Sequence, residues 1–249
     1  MHIERPSIFP SHIVAGVTER NVDRFPLTGL SLFKAQILND REVEQHRAYL
    51  AQAIGVERTA LRFQRQVHGT RVRILTQETN QYHIYEPFEE SDGMITQLQG
   101  VVLCVGIADC AGILLYDSSH NAVAALHSGW RGTCGNIVQQ GITMMREHYG
   151  SHPSSLRAYV SPCASGKRYI VQHDVAQYFS APALQRVSEN TYTFDNRLRI
   201  TEQLLECGVL PEHIEVSGGC TISDERYHSY RRDGQRAGRM AAFIGIMPY

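Results

Sequence analysis

Three residues of types that bind metals stand beside turns of small residues: His68, Cys110 and His127. We expect all three at the ends of apolar strands, where side chains from distant parts of a chain can meet. Two neutral imidazoles and one thiolate suit zinc, and three protein ligands leave a position open for water or substrate. Catalytic zinc sites have this composition, whereas structural sites have a fourth protein ligand. The pattern therefore predicts one zinc ion per chain.

The same residues allow other interpretations, because no short metal-binding motif joins them. A histidine at a strand end is often satisfied within the core or a turn, and a cysteine after an aspartate is often inert. Cys110 could also be a nucleophile with His127 as its base, which would give a hydrolase or an acyl-transfer enzyme. A zinc-stabilised interaction module without catalysis is a further alternative.

Arg131 lies just before a helix predicted over residues 135–150 and shortly after His127. A helix N-terminus offers unpaired N–H groups and partial positive charge, which favour phosphate, and an arginine adds a bidentate contact. The alternative is a surface arginine paired with a carboxylate. The preceding Trp130 is predicted to be a packing anchor. Asp109 could orient a ligand histidine or act as general acid or base.

Apolar runs predict the strands that would carry these residues. Residues 101–109, 112–117 and 122–127 are apolar enough to be covered on both faces of a sheet. Residues 61–69 show the alternation of a strand, and residues 71–75 continue extended.

Helices are predicted between these strands, over residues 40–55 with Asp40 as a possible cap, over 135–150 and over 195–208. Residues 76–92 are polar and irregular, which favours a mobile surface loop. Strands and helices interleave without a strict alternation, so we expect a mixed-sheet α/β sandwich forming a single domain over residues 1–249.

Composition excludes several classes of function. The chain has 249 residues and a formal net charge of −1, which gives no electrostatic reason to expect nucleic acid or an anionic membrane as partner. No apolar run approaches the roughly 18–20 residues needed to span a bilayer. The N-terminus lacks the apolar run of a signal peptide, so a cytoplasmic protein is expected. The six cysteines form no Cys-x-x-Cys pair, which argues against a zinc ribbon or a redox pair.

Several motifs together resemble the laccase-domain family, long labelled multicopper polyphenol oxidoreductases and later recognised as zinc-dependent purine nucleoside phosphorylases. They are "RQVHG" (65–69), "SDGMIT" (91–96), "ADC" followed by "ILLYD" (108–117), "ALHSGWRGT" (125–133) and "SYRRDG…AGR" (229–239). The resemblance implies an α/β/β/α sandwich with His68, Cys110 and His127 as zinc ligands. It also implies catalytic roles for Asp109 and Arg131 and substrate binding by Arg47, Arg131 and Arg231.

The resemblance further implies an activity on purine nucleosides. Adenosine and inosine, and S-methyl-5′-thioadenosine with them, would be cleaved by phosphate to the free base and a sugar 1-phosphate, and adenosine would also be deaminated. The older oxidase label would need copper. Trinuclear copper clusters are normally built from His-x-His pairs, and none of the twelve histidines forms one, so zinc is favoured over copper.

The chain also departs from the family's usual pattern at a few positions. Gly112 stands where the family commonly has proline, and Ser161 where it has glycine. Ile170 is at an unexpected position, and His46-Arg47 replaces the usual Asn-Arg of the first helix. The predicted metal ligands are unaffected, so these departures bear on substrate preference.

Overall fold

The computed structural model describes residues 1–36, 38–80 and 88–248. Its strands, in chain order, are β1 (Ile3–Glu4), β2 (Ile13–Thr18), β3 (Leu61–Arg62), β4 (Val72–Leu75), β5 (Gly93–Thr96), β6 (Val102–Ile107), β7 (Ala111–Asp117), β8 (Ala122–Ser128), β9 (Leu156–Val160), β10 (Ile170–Gln172), β11 (Leu184–Arg186), β12 (Thr191–Phe194), β13 (Ile214–Val216) and β14 (Met240–Ile246). Its α-helices are α1 (Asp40–Ile54), α2 (Gln77–Asn80), α3 (Trp130–Cys134), α4 (Ile137–Tyr149), α5 (His173–Ala176), α6 (Asn196–Glu206) and α7 (Tyr230–Asp233). None of the helices within these ranges has the length and apolar content to cross a membrane.

Two mixed sheets form the centre of the fold. The five-stranded sheet has the order β1-β2-β14-β6-β3, and the six-stranded sheet has the order β13-β9-β7-β8-β5-β4. Strands β3 and β6, β4 and β5, and β9 and β13 pair in parallel, while the other neighbours in these two sheets are antiparallel. A small third sheet has the order β10-β12-β11.

Alternate residues of the central strands face two different cores. In β6 and β14, Val105 and Ala242 contribute to the apolar layer between the two large sheets, together with Leu114 of β7. Their neighbours Cys104 and Phe243 face the opposite side, where α1 covers the five-stranded sheet. Helices α4 and α6 cover the outer face of the six-stranded sheet in the same way. The layers are therefore helix, sheet, sheet and helix, as expected, and both faces of the apolar strands are buried.

Helix α1 begins at Asp40 as predicted, but its N-cap is one residue earlier than expected. Asn39, not Asp40, is the N-cap: its side chain accepts from the N–H of Glu42, and the Glu42 carboxylate accepts from the N–H of Asn39. This reciprocal pair is a capping box, which satisfies two N–H groups that the helix leaves free. The helix ends at Gly55, whose φ of 74° lies in the left-handed region that glycine adopts without strain.

Two other predicted elements differ from the structure. The strand expected over 61–69 ends at Arg62, and Val67 is 46% exposed, so the apparent alternation does not mark a buried face. The helix expected over 135–150 is α4, which begins at Ile137 because Asn136 has a left-handed φ of 56° and caps α4 through the N–H of Gln139. A separate short helix, α3, precedes it, and Arg131 lies on α3 instead of in the turn directly before α4.

The segment 76–92 was expected to be a surface loop, but it contains a short helix and ends in buried residues. Helix α2 occupies residues 77–80, and residues 81–87 lie outside the described part of the chain. Ser91 and Asp92 are fully buried, directly before β5. The end of this polar segment is thus part of the protein interior.

Candidate active site

The three predicted metal ligands meet in the folded chain. One ring nitrogen each of His68 and His127 and the sulfur of Cys110 lie within 4.8 Å of one another. The antiparallel register of β7 and β8 explains two of them, because Gly112 lies opposite His127 and Cys110 precedes β7 directly. Within the described ranges this is the one group of three or more such side chains that could hold a metal ion.

His68 reaches this cluster from a loop, which corrects the expectation of a strand end. Its backbone is left-handed, with a φ of 59°. Asp92 fixes the loop, since its carboxylate accepts hydrogen bonds from the N–H groups of Val67, His68 and Gly69 at 3.2, 3.0 and 2.7 Å. A strained backbone of this kind persists only where the surroundings hold it, and Asp92 provides that restraint.

Asp92 also orients the second histidine. Its Oδ1 lies 2.8 Å from Nδ1 of His127, so Nε2 is the ring nitrogen left for the cluster. Asp109, which the sequence offered for this role, is engaged elsewhere: its carboxylate accepts from the Thr221 hydroxyl at 2.7 Å and from the backbone N–H of Arg231 at 2.6 Å. The carboxylate behind the ligand histidine is therefore Asp92 and not Asp109.

Electrostatics within the cluster favour the ligating form of the cysteine. Burial alone would raise the pKa of Cys110, but the adjacent rings of His127 and His68 lower it to about 6. Burial likewise opposes protonation of His127, yet the Cys110 thiolate and the Asp92 carboxylate raise its pKa to about 9. A thiolate is the form of cysteine that binds metals. The donor set of two imidazoles and one thiolate, at this spacing, fits a zinc ion.

The cluster opens to a large cavity of about 960 Å³. His127 is buried, Cys110 is half-buried and His68 is exposed, so the cluster is accessible from one side. Five aromatic side chains line the cavity: Phe33, Phe88, Trp130, Tyr169 and Tyr230. Six cationic side chains also line it, and they are Lys34, Arg47, Arg65, Arg131, Arg231 and Arg239. Aromatic faces and fixed positive charge suit an aromatic ligand together with an anion.

All the residues predicted for catalysis or substrate binding lie on this cavity, but they differ in what they contact. Arg131 is exposed, and its guanidinium lies 4.2 Å from the centroid of the Trp130 ring. Arg231 is also exposed, whereas Arg47 is buried. The Arg47 guanidinium donates to Glu44 at 2.6 Å and to a main-chain carbonyl at 2.9 Å. Arg47 therefore stabilises the wall of the cavity, and Arg131 and Arg231 present their charge to it.

Gly112 and Ser161, two of the departures from the family pattern, form a hydrogen bond with each other. The N–H of Gly112 donates to the Ser161 hydroxyl at 2.8 Å, and the Ser161 hydroxyl donates to the carbonyl of Pro162 at 2.9 Å. A proline at position 112 would have no N–H to donate, and a glycine at 161 would have no acceptor. Both residues are buried and neither lines the cavity, so this exchange concerns packing.

Comparison with known proteins agrees with the geometry. The sequence profile of a family described as multi-copper polyphenol oxidoreductase laccase matches residues 16–247. The chain belongs to this family. A relative named purine nucleoside phosphorylase, from Deinococcus radiodurans, is 34% identical over 224 residues, which covers 89% of this chain and 83% of the relative.

A second relative and a solved structure extend the comparison. Purine nucleoside phosphorylase YlmD of Bacillus subtilis is 30% identical over 248 residues, covering 94% of this chain and 88% of that protein. The crystal structure of YlmD from Geobacillus stearothermophilus has a TM-score of 0.89 to this chain at 26% identity, covering 98% and 94% of the two chains. The mixed-sheet sandwich is thus shared with this crystal structure.

Proposed function

We propose that the protein is a zinc-dependent purine nucleoside phosphorylase. It would act on adenosine, inosine and S-methyl-5′-thioadenosine with phosphate as co-substrate, and it would also deaminate adenosine. The observation that carries this proposal is the accessible His68–Cys110–His127 cluster on a cavity with aromatic and cationic walls. The names of the two relatives support the same activity.

The residues of the cluster have distinct tasks in this proposal. His68, Cys110 and His127 would hold one zinc ion, and Asp92 keeps His127 in the tautomer that ligates through Nε2. Zinc held there would supply Lewis-acid chemistry of the kind that hydrolytic deamination of a purine requires. Asp109 accepts a hydrogen bond at each of its two oxygens, so its carboxylate would shape the turn before Cys110.

The cationic wall supports phosphate as the second substrate. Phosphorolysis needs a positioned anion next to a sugar that develops positive charge. Gly129 lies directly against the cluster, because a Cβ at this position would be 2.8 Å from the Cys110 sulfur. Arg131 follows Gly129 by two residues. Tyr169 and Tyr230 offer aromatic faces on the same cavity. An aromatic base and an anion could thus be bound side by side.

A cysteine hydrolase is the second candidate, because Asp92, His127 and Cys110 are arranged like a catalytic triad. Asp92 holds Nδ1 of His127, and the other side of the ring faces the Cys110 thiolate. The presence of His68 as a second imidazole at the sulfur favours the metal instead. Thiol alkylation separates the two: zinc should protect Cys110 from alkylation if it is a ligand, and should not if it is a free nucleophile.

Product analysis tests the proposed function. Metal-replete protein is incubated with adenosine, inosine or S-methyl-5′-thioadenosine, with and without phosphate, and the products are separated by chromatography. Phosphate should promote release of the free base, while inosine should appear from adenosine without it. Both activities should fall together in His127→Ala. If no nucleoside is converted under any condition, the proposal is wrong and the hydrolase becomes the leading candidate. Ultraviolet–visible absorption of the same sample checks the oxidase interpretation, which needs bound copper.

A further inference from the structure

The Arg131 side chain contacts an aromatic ring, whereas several other arginines of this chain form ion pairs with carboxylates. Its guanidinium lies over the Trp130 ring, and within the described part of the chain it has no hydrogen bond or ion pair with another side chain. In contrast, Arg58 and Arg199 are paired with Glu44 and Glu206 at 2.8 and 2.6 Å. A carboxylate would occupy the N–H groups and cancel the charge, whereas an aromatic face leaves both free for an anion.

Packing contacts with other residues fix the position of the Trp130 ring. It is half-buried and packs against the apolar cluster that includes Phe194. Its outer neighbour Tyr178 stacks on it, with ring centroids 5.9 Å apart and planes at 24°. A ring fixed in this way can restrict the rotamers of the arginine that lies over it. Trp130 thus packs as expected from the sequence, and this packing also restricts the Arg131 side chain.

The same arrangement recurs among the other cations of the cavity. Two further arginines lie over tyrosine rings that line it, Arg231 at 5.2 Å from the centroid of Tyr169 and Arg239 at 5.5 Å from that of Tyr230. The rings thereby order positive charge on this wall, and the nearby negative groups, Asp109 and Cys110, act on Arg231 and Arg239.

We propose that Trp130 is a positioning residue for Arg131, and that its ring holds the guanidinium ready to bind the phosphate co-substrate. This inference rests on the proposed function for the identity of the anion. Removal of the ring should weaken phosphate binding and leave nucleoside binding largely as it is. An exposed contact of this type corresponds to a change of about two- to fivefold in affinity.

Steady-state kinetics supply the first test. Trp130→Leu should raise the KM for phosphate about two- to fivefold, with the KM for inosine within twofold of wild type, and Trp130→Phe should recover most of the loss. Phe179→Leu is the matched control, because it removes a ring from the same apolar cluster but not from the cavity. Its phosphate KM should stay at the wild-type value. An unaltered phosphate KM in Trp130→Leu, or an equal rise in Phe179→Leu, would overturn the inference.

Fluorescence supplies a test that does not depend on turnover. Trp130 is the only tryptophan in the chain, so emission excited selectively at the indole, where tyrosine does not absorb, reports on this ring. Titration of wild type with inorganic phosphate at constant ionic strength should change the emission with saturation, and sodium chloride should not. Arg131→Ala should abolish the phosphate response. A phosphorylase that shows no such response retains the proposed function but refutes the role of Trp130. A saturable change of fluorescence with phosphate, in a protein that converts no nucleoside, would refute the phosphorylase activity but support phosphate binding at Arg131.

Discussion

Substitution of Asp92 by asparagine should weaken zinc binding at the proposed metal centre without replacing any of its three proposed ligands. The carboxylate accepts four hydrogen bonds: Oδ2 from the N–H groups of Val67 and Gly69, and Oδ1 from His68 N–H and His127 Nδ1. Asparagine has one acceptor oxygen, so two of these donors would face an NH₂ group. Two unmade bonds to this buried side chain should lower the free energy of unfolding by about 2–6 kcal/mol. Loss of a carboxylate behind a ligand histidine should weaken zinc binding about tenfold to hundredfold.

Zinc affinity is measured by competition with a chromophoric chelator, and stability by urea unfolding of the metal-free protein. Asp117→Asn is the matched control, because Asp117 is also fully buried and accepts from a histidine, His120 Nδ1 at 2.8 Å. It lies at the other end of β7 from Cys110 and should reduce stability while leaving zinc affinity near wild type. The reasoning is refuted if Asp92→Asn binds zinc as tightly as wild type, or if the control loses as much affinity.

Three further outcomes are expected. Cys110→Ser should lose most of its zinc by elemental analysis, because a hydroxyl replaces the thiolate; full occupancy would remove Cys110 from the ligand set. Arg131→Ala should raise the KM for phosphate about tenfold to hundredfold, the scale of a charged bidentate contact, while zinc content stays at the wild-type level; an unchanged phosphate dependence would contradict a phosphate role. Burial lowers the pKa of His228 to about 4 from its ordinary value of 6.5, although a hydrogen bond to Leu30 opposes this. As the pH falls, this histidine is protonated first in the unfolded chain, where its pKa is ordinary. The stability of the folded chain that depends on a neutral His228 is therefore fully present above pH 6.5 and is lost as the pH falls toward 4. The free energy of unfolding should therefore fall by about 2 kcal/mol between pH 7.5 and pH 5. Urea unfolding of His228→Asn should lack this part of the decrease, and an equally steep decrease in the variant would assign it to other groups.

The central strands could be predicted from the sequence because their environment is uniform. β6, β7 and β8 are covered on both faces, so their positions are apolar except at the ends of β7 and β8, and the runs end where the strands end, within about two residues. Helix α1 was likewise predictable, since Gly55 marks its end. Asn39 was missed as the cap because Asp40 next to it has the same local preference.

The parts of the site that depend on tertiary contacts could not be predicted. Asp92 lies at the end of a polar segment, and only contact with the 67–69 backbone makes it a buried acceptor. The left-handed backbone of His68 has the same origin. Arg47 was expected to bind substrate, yet its pairing with Glu44 one turn earlier on the same helix holds it in the wall. The resemblance of motifs, rather than spacing, indicated which distant residues would meet.

The missing side chain at Gly112 allows the two large sheets to approach each other closely beside Cys110. A Cβ at position 112 would lie 2.5 Å from the Cβ of Ala242 on β14, a separation that real side chains do not adopt. Any other residue at 112, proline included, would therefore push β7 away from β14. Because Cys110 directly precedes β7 and His127 lies opposite position 112, such a shift would also move the residues of the cluster.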